Sequence, residues 1–316
     1  GMARRRGGSA GSDDDLLRAA EVARKLDDST RQVRAVTELC LHGPTSTSGF
    51  TDARAVAVLD EALGLRGAAE DATTALMAAA ATLFSMSDEW SRGRELYHRA
   101  AARSATSADR TLRREVLLNS HLGLAHPDDR GLRRAHALEL GQYDDADAKW
   151  ESAFLSFGVG LIEGDLAAVM RAAQWAEEHY PTVVQRNRKS GMAQIRSVVA
   201  FLAGDLDAAD TLAGQAFEVS LADRSESWAM SIYAGLIYPI REAQGRLGEL
   251  RAAAAALRAN RPDFPLWTAV EAGIAASQND LDVVRADMVA LARSGYHFEK
   301  DLTWTAVVAI VLRAAC

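Results

Sequence analysis

Glu163-Gly164-Asp165-Leu166 is echoed by Ala203-Gly204-Asp205-Leu206, Gln244-Gly245-Arg246-Leu247 and Gln278-Asn279-Asp280-Leu281. The second residue of the phrase falls at 164, 204, 245 and 279, with Ala-rich apolar sequence on either side. Gly or Asn there tolerates a positive φ at the end of a helix. An Asp immediately after it can cap the next helix. Each phrase thus reads as a tight helix-to-helix turn, and self-similarity at this period is the mark of a helical solenoid.

The residues around the phrase carry the same message. If the second helix of each pair packs inward, the positions about five, nine and twelve after the turn residue must be small or apolar. They are Val169, Ala173 and Ala176; Ala209, Ala213 and Ala216; Leu250, Ala254 and Leu257; and Val284, Met288 and Leu291. All are apolar, in a chain where 48% of residues are hydrophobic and only 6% aromatic. Ala and Leu therefore dominate, which suits closely packed helices. No stretch alternates with period two, so no strand is expected.

Outward from the phrases, helices are expected at 15–41 with a break at Asp27-Asp28-Ser29, then at 52–64, 70–86, 89–104 and 109–125. Two more follow at 130–141 and 144–162. Pro239 falls inside an expected helix, where it predicts a kink. Residues 1–12 read as a disordered Gly/Ser-rich leader, Gly43–Gly49 as a loop, and 13–316 as one continuous array with a weak subdivision near 126–130. The expected fold is all-α: a tetratricopeptide-like, right-handed superhelix of antiparallel helix pairs.

The net charge of −7 argues against nucleic acid as the main partner, because such domains present a basic face. Two cysteines, Cys40 and Cys316, build neither a disulfide framework nor a zinc site. Together with the lack of a signal peptide, they point to the cytoplasm. No apolar run approaches the ~20 residues of a membrane helix.

Ser120-His121-Leu122-Gly123-Leu124-Ala125-His126-Pro127, the Gly-Asp-Leu turns, Gln244-Gly245-Arg246-Leu247-Gly248-Glu249-Leu250, Pro265-Leu266-Trp267 and Asp301-Leu302-Thr303-Trp304 carry a family resemblance. The chain resembles the tetratricopeptide-like region of large actinobacterial regulators that couple an ATPase to helical repeats. These include LuxR-type regulators related to the maltose-regulon activator. The resemblance implies an inducer- or partner-sensing superhelix without an active site. No G-x-x-x-x-G-K-[ST] phosphate loop and no helix-turn-helix reader is found. The expectation is a sensor piece lacking motor and output, either a fragment or a stand-alone relative.

Candidate chemistry is sparse. His121, His126, Asp128, Asp129, His136 and Glu139 are the densest polar group, but a five-residue step does not set His121 and His126 on one helix face. His126-Pro127-Asp128-Asp129 reads as an interhelix loop with an acidic cap. Asp13–Asp15 and Asp144, Asp145 and Asp147 precede helices, where acids favour the dipole. Neither a metal site nor a catalytic residue is expected, and no cofactor. A groove is expected along the first helices, at positions about ten and three before each turn residue: Phe154 and Leu161, Gln194 and Phe201, Gly235 and Glu242. Its candidate binding residues are Phe154, Phe157, Gln194, Phe201, Tyr238, Arg241 and Glu242. The expected occupant is a small-molecule effector or a peptide or protein partner. The runner-up function is a biosynthetic enzyme using the same groove as its cavity, and a third is an assembly scaffold. The last helix, with Trp304, Val307, Val308, Ile310, Val311 and Leu312, is apolar over much of its circumference. Self-association through it, or a cover from further repeats, is therefore expected.

Overall fold

Four Schellman turns set the architecture. In the computed structural model Gly164, Gly204, Gly245 and Asn279 have φ of 68°, 81°, 69° and 59°. At each, the amide of the next residue bonds the carbonyl five positions back: Asp165 to Gly160, Asp205 to Ala200, Arg246 to Arg241 and Asp280 to Ala275, at 2.7–3.0 Å. These bonds satisfy carbonyls that the helix end would otherwise leave without donors. Asp165, Asp205 and Asp280 then accept from the amides of Ala168, Ala208 and Val283, at 2.9, 3.0 and 3.4 Å. Arg246 cannot cap in this way. There the chain forms a 3₁₀ turn, Leu247–Leu250, before the next helix starts.

The structure describes residues 12–42, 52–85, 87, 89–180, 187–223, 226–260, 262, 264–293, 295–296, 298, 300 and 303–315. The loop expected at 43–49, Cys316 and nearly all of the expected leader lie outside these residues. Among them the chain is all-helical, with 17 α-helices packed in neighbouring pairs and no strand. They are α1 (Ser12–Lys25), α2 (Ser29–His42), α3 (Ala53–Leu63), α4 (Glu70–Phe84), α5 (Trp90–Thr106), α6 (Arg110–Leu117) and α7 (Ser120–Gly123). After the short 3₁₀ turn Pro127–Asp129 come α8 (Arg130–Leu140), α9 (Ala146–Glu163), α10 (Leu166–His179), α11 (Asn187–Leu202) and α12 (Leu206–Asp223). The last are α13 (Glu226–Ala243), α14 (Arg251–Asn260), α15 (Pro265–Ser277), α16 (Leu281–Arg293) and α17 (Trp304–Ala315). None of the described helices is long and apolar enough to cross a membrane.

One helix expectation changes and another is met. The helix expected over 109–125 breaks after Leu117 and resumes at Ser120. The expected break near 27 is a further Schellman turn, in which Asp27 takes φ 53° and the Asp28 amide bonds Ala23 O at 2.9 Å. Pro239 sits inside α13, which continues through it to Ala243.

The largest packed pairs are α11 with α12, α9 with α10 and α4 with α5. The inward positions of the second helices behave as the spacing requires. Val169, Ala173, Ala176, Ala209, Ala213, Ala216, Ala254, Val284 and Leu291 are buried, and Leu250, Leu257 and Met288 are half-buried. Much of the apolar circumference of α17 is consumed inside the molecule. Val307, Ile310 and Val311 are buried in a cluster with Tyr238, Ala269 and Ile274, whereas Leu312 is exposed.

Candidate functional site

The register of the first helices places their candidate residues in two groups. Phe154, Gln194, Phe201 and Glu242 are half-buried, and Leu161 and Gly235 are exposed. Phe157 and Tyr238 are instead core residues, the first packed with Trp150, Ala153 and Val169, the second with Leu247 and Ile274. Three residues along a helix displace a side chain by only about 60° around the axis, and that step carries Phe157 from the half-buried edge held by Phe154 into the packed side of the same face. Burial pushes the Tyr238 hydroxyl up to about 12. Arg241 is held by Asp210 at 2.5 and 3.2 Å and by Glu249 at 3.2 Å. Glu242 is paired with Arg313 of α17. Gln194 donates to Ser190 Oγ at 3.1 Å.

Around Phe154 the structure assembles groups that the spacing did not point to. Phe154 stacks on Trp150, with ring centroids 5.0 Å apart, and meets the edge of His121 at 4.6 Å. Gly191 of α11 leaves room for the Trp150 ring: a Cβ there would stand 2.6 Å from it, while Phe154 would lie in ordinary contact at 3.5 Å. Trp150 also lies under the Arg188 guanidinium, 4.9 Å from the ring centroid. Arg188 binds Glu151, which is 1% exposed. Burial raises the Glu151 carboxyl, and the Arg188 charge opposes this. Arg133 of α8 reaches the same neighbourhood, and its guanidinium rests against Gly158, whose Cβ would stand 3.2 Å away. Arg133 Nε, Arg188 Nε, Trp150 Nε1 and Asp147 Oδ1 are buried without a hydrogen-bond partner among the described residues. Buried polar atoms of native proteins are nearly always paired, so this concentration is unusual.

The polar group expected near 121–139 separates into structural units. Asp129 does not cap the helix that follows it. It accepts both arms of the Arg94 fork at 2.6 and 2.7 Å and bonds His98 at 3.0 Å, which together hold its carboxyl below the usual range against burial. His126 stacks on Trp90 and accepts from the Asp128 amide. Glu139 takes a bidentate Arg113 at 2.8 and 2.6 Å. Asp145 both caps α9 through Ala148 and takes a bidentate Arg114. Among the described residues, no group of three or more His, Cys, Asp or Glu side chains is placed to hold a metal.

His136 joins Ser120 at 3.0 Å and Tyr97 at 3.1 Å, with Tyr97 and Ser120 2.6 Å apart. This resembles a nucleophile and its base, yet Ser120 and Tyr97 are fully enclosed and His136 is 2% exposed. Burial lowers His136 to about 4. A base this weak and this inaccessible serves packing, by satisfying three polar groups in the core. Cys40 is also buried, its thiol pushed up to about 12, and is inert by that criterion.

Comparisons with family models, curated proteins and solved structures found no match.

Proposed function

We propose that the chain is a ligand- or partner-binding module, with the helix pairs wound as a tetratricopeptide-like right-handed superhelix. In this reading it serves as the sensing or scaffolding part of a transcriptional or signalling regulator of the LuxR type, and binds without catalysis. The occupant of the groove is a small-molecule effector or a peptide. The supporting observation is the stripe itself. Along α9, α11 and α13, Phe154, Gln194, Phe201 and Glu242 stay half-buried, while the inward face of the second helices is spent on packing. A concave surface with an apolar body and a few placed polar groups is what ligand sites need.

Thermal-shift screening against metabolites and short peptides tests the proposal, since a ligand at 100 times its Kd adds ~2.7 kcal/mol to stability. The expected result is a hit whose shift is lost in Phe154→Ala and weakened in Gln194→Ala. Hits that are indifferent to both substitutions would remove the groove from the function.

A further inference from the structure

Arg133 stands apart from the other arginines of its region. Arg94, Arg113 and Arg114 each hold a carboxylate in a bidentate grip. Arg133 has no salt bridge to any described carboxylate. Its Nη2 lies 3.4 Å from His121 Nδ1, and its Nε has no acceptor among the described residues. Glu151, the carboxylate whose field it feels, is already bound by Arg188. The side chain is 6% exposed, so water screens it little. A buried cation without a directly bonded anion is costly, and an apolar side chain of similar shape in its place is often neutral or stabilising.

The position of the guanidinium suggests a use for it. Its tip lies over Gly158 and beside His121, and His121 meets the edge of Phe154; all three of these residues are half-buried. The group thus reaches a partly open floor beside the aromatic wall made by Phe154 on Trp150. A guanidinium fork matches a planar carboxylate through parallel N–H donors. With Arg188 committed to Glu151, one guanidinium is on offer, which suits a monoanion better than a phosphate.

We infer that Arg133 recognises the carboxylate of a small amphipathic acid whose apolar part lies on Phe154. The inference rests on the groove reading and narrows it to one ligand class.

Sodium benzoate is a suitable probe, with acetate, inorganic phosphate and chloride compared at matched ionic strength. Saturating benzoate should raise the melting temperature of the wild-type chain by about 5 °C, with acetate and phosphate doing less. Arg133→Met should weaken benzoate binding at least tenfold, yet melt no lower than wild type without benzoate, because it removes an unpaired buried cation. Arg133→Lys, which keeps charge but not the fork, should fall between. Phe154→Leu should weaken benzoate binding and leave acetate unchanged. The inference is overturned by no benzoate shift in the wild type, by an undiminished shift in Arg133→Met, or by a lower melting temperature of Arg133→Met in benzoate-free buffer, which would make Arg133 structural. A screening hit that is not an acid, survives Arg133→Met and is lost in Phe154→Ala would overturn this inference and leave the groove reading standing.

Discussion

Before residue 125 most buried apolar side chains form one cluster, from Leu16 through Leu39, Leu59, Phe84 and Tyr97 to Leu124, while Leu117 joins a second with Ala137, Leu140, Ala148 and Leu155 that links the two regions. After residue 145 the core is divided into smaller clusters. One is centred on Trp150 and Phe157, one on Ala209, Ala213 and Ile240, and one on Tyr238, Ile274 and Ile310. Phe84, Tyr97 and several leucines reach from one helix layer into the next. The later clusters each draw on three or more helices: α9–α11 around Trp150, α11–α13 around Ile240, and α13–α17 around Ile274. Ion pairs then tie neighbouring elements together: Arg188 with Glu151, Arg196 with Glu177, Arg241 with Asp210, and Arg258 with Glu271 and Asp287. The half of the chain with the most regular turns is therefore the half with the most subdivided core.

The largest effect expected from this contrast is Phe84→Ala. Phe84 is fully buried within the continuous cluster, and its loss should cost ~3–5 kcal/mol in urea unfolding, felt by α1 through α7 together. A loss below ~1 kcal/mol would mean that the early core is not continuous in solution.

Glu151→Gln comes next. It leaves Arg188 and Arg133 buried with no carboxylate between them, and a one-sided break of a buried pair costs ~3–5 kcal/mol, less here because Gln still accepts a hydrogen bond. The damage should stay within α8–α11, seen as local loss of amide protection.

A pH effect should distinguish the early core. His136 titrates near 4 in the folded chain, against 6.5 as its ordinary value, because burial and the Arg113 charge disfavour its protonated form. Its contribution is complete above about 6.5. As pH falls from there toward 4, the unfolded chain takes up a proton that the native state refuses, and stability declines. Asp129, Glu139 and Asp145, all lowered, lose their contributions only as the pH falls below the ordinary carboxylate range, a lower window. Urea midpoints at pH 7.0, 5.5 and 4.5 should show the His136 decline, and His136→Gln should flatten it.

The smallest effect belongs to a turn. Gly164→Ala forces an L-residue to φ 68°, worth ~1–2 kcal/mol, although space around the position is open. Asn279→Gly, at φ 59°, should be neutral or slightly stabilising. Equal effects of the two substitutions would contradict the turn assignment.

The helix boundaries at the four repeated turns were legible because the Gly-Asp-Leu phrase encodes its own geometry: a positive φ, a cap and an apolar start within three residues. Turns that depart from the phrase were harder to read. Asp27 is a non-glycine in the left-handed region. Gly295, followed by Tyr296, makes another such turn with its φ of 69° and the Tyr296 amide on Leu291 O, but no Asp follows it. The candidate site was legible only as a stripe. Phe154 and Gln194 fall on it, whereas Phe157 and Tyr238 rotate into the core. Arg133, Trp150, Glu151 and Arg188 could not be singled out, because their meeting depends on α8, α9 and α11 packing together. Glu151 and Arg188 lie 37 positions apart in the chain, and no local periodicity records that contact.

Hydrogen exchange followed by mass spectrometry at increasing urea tests the two-core description most directly. Peptides from α2, α4 and α5 should share one opening free energy and one urea dependence, as a single cooperative unit. Peptides from α9–α10, α11–α12 and α15–α17 should open in separate steps with smaller urea slopes. A single opening energy and slope common to all of residues 12–315 would contradict it.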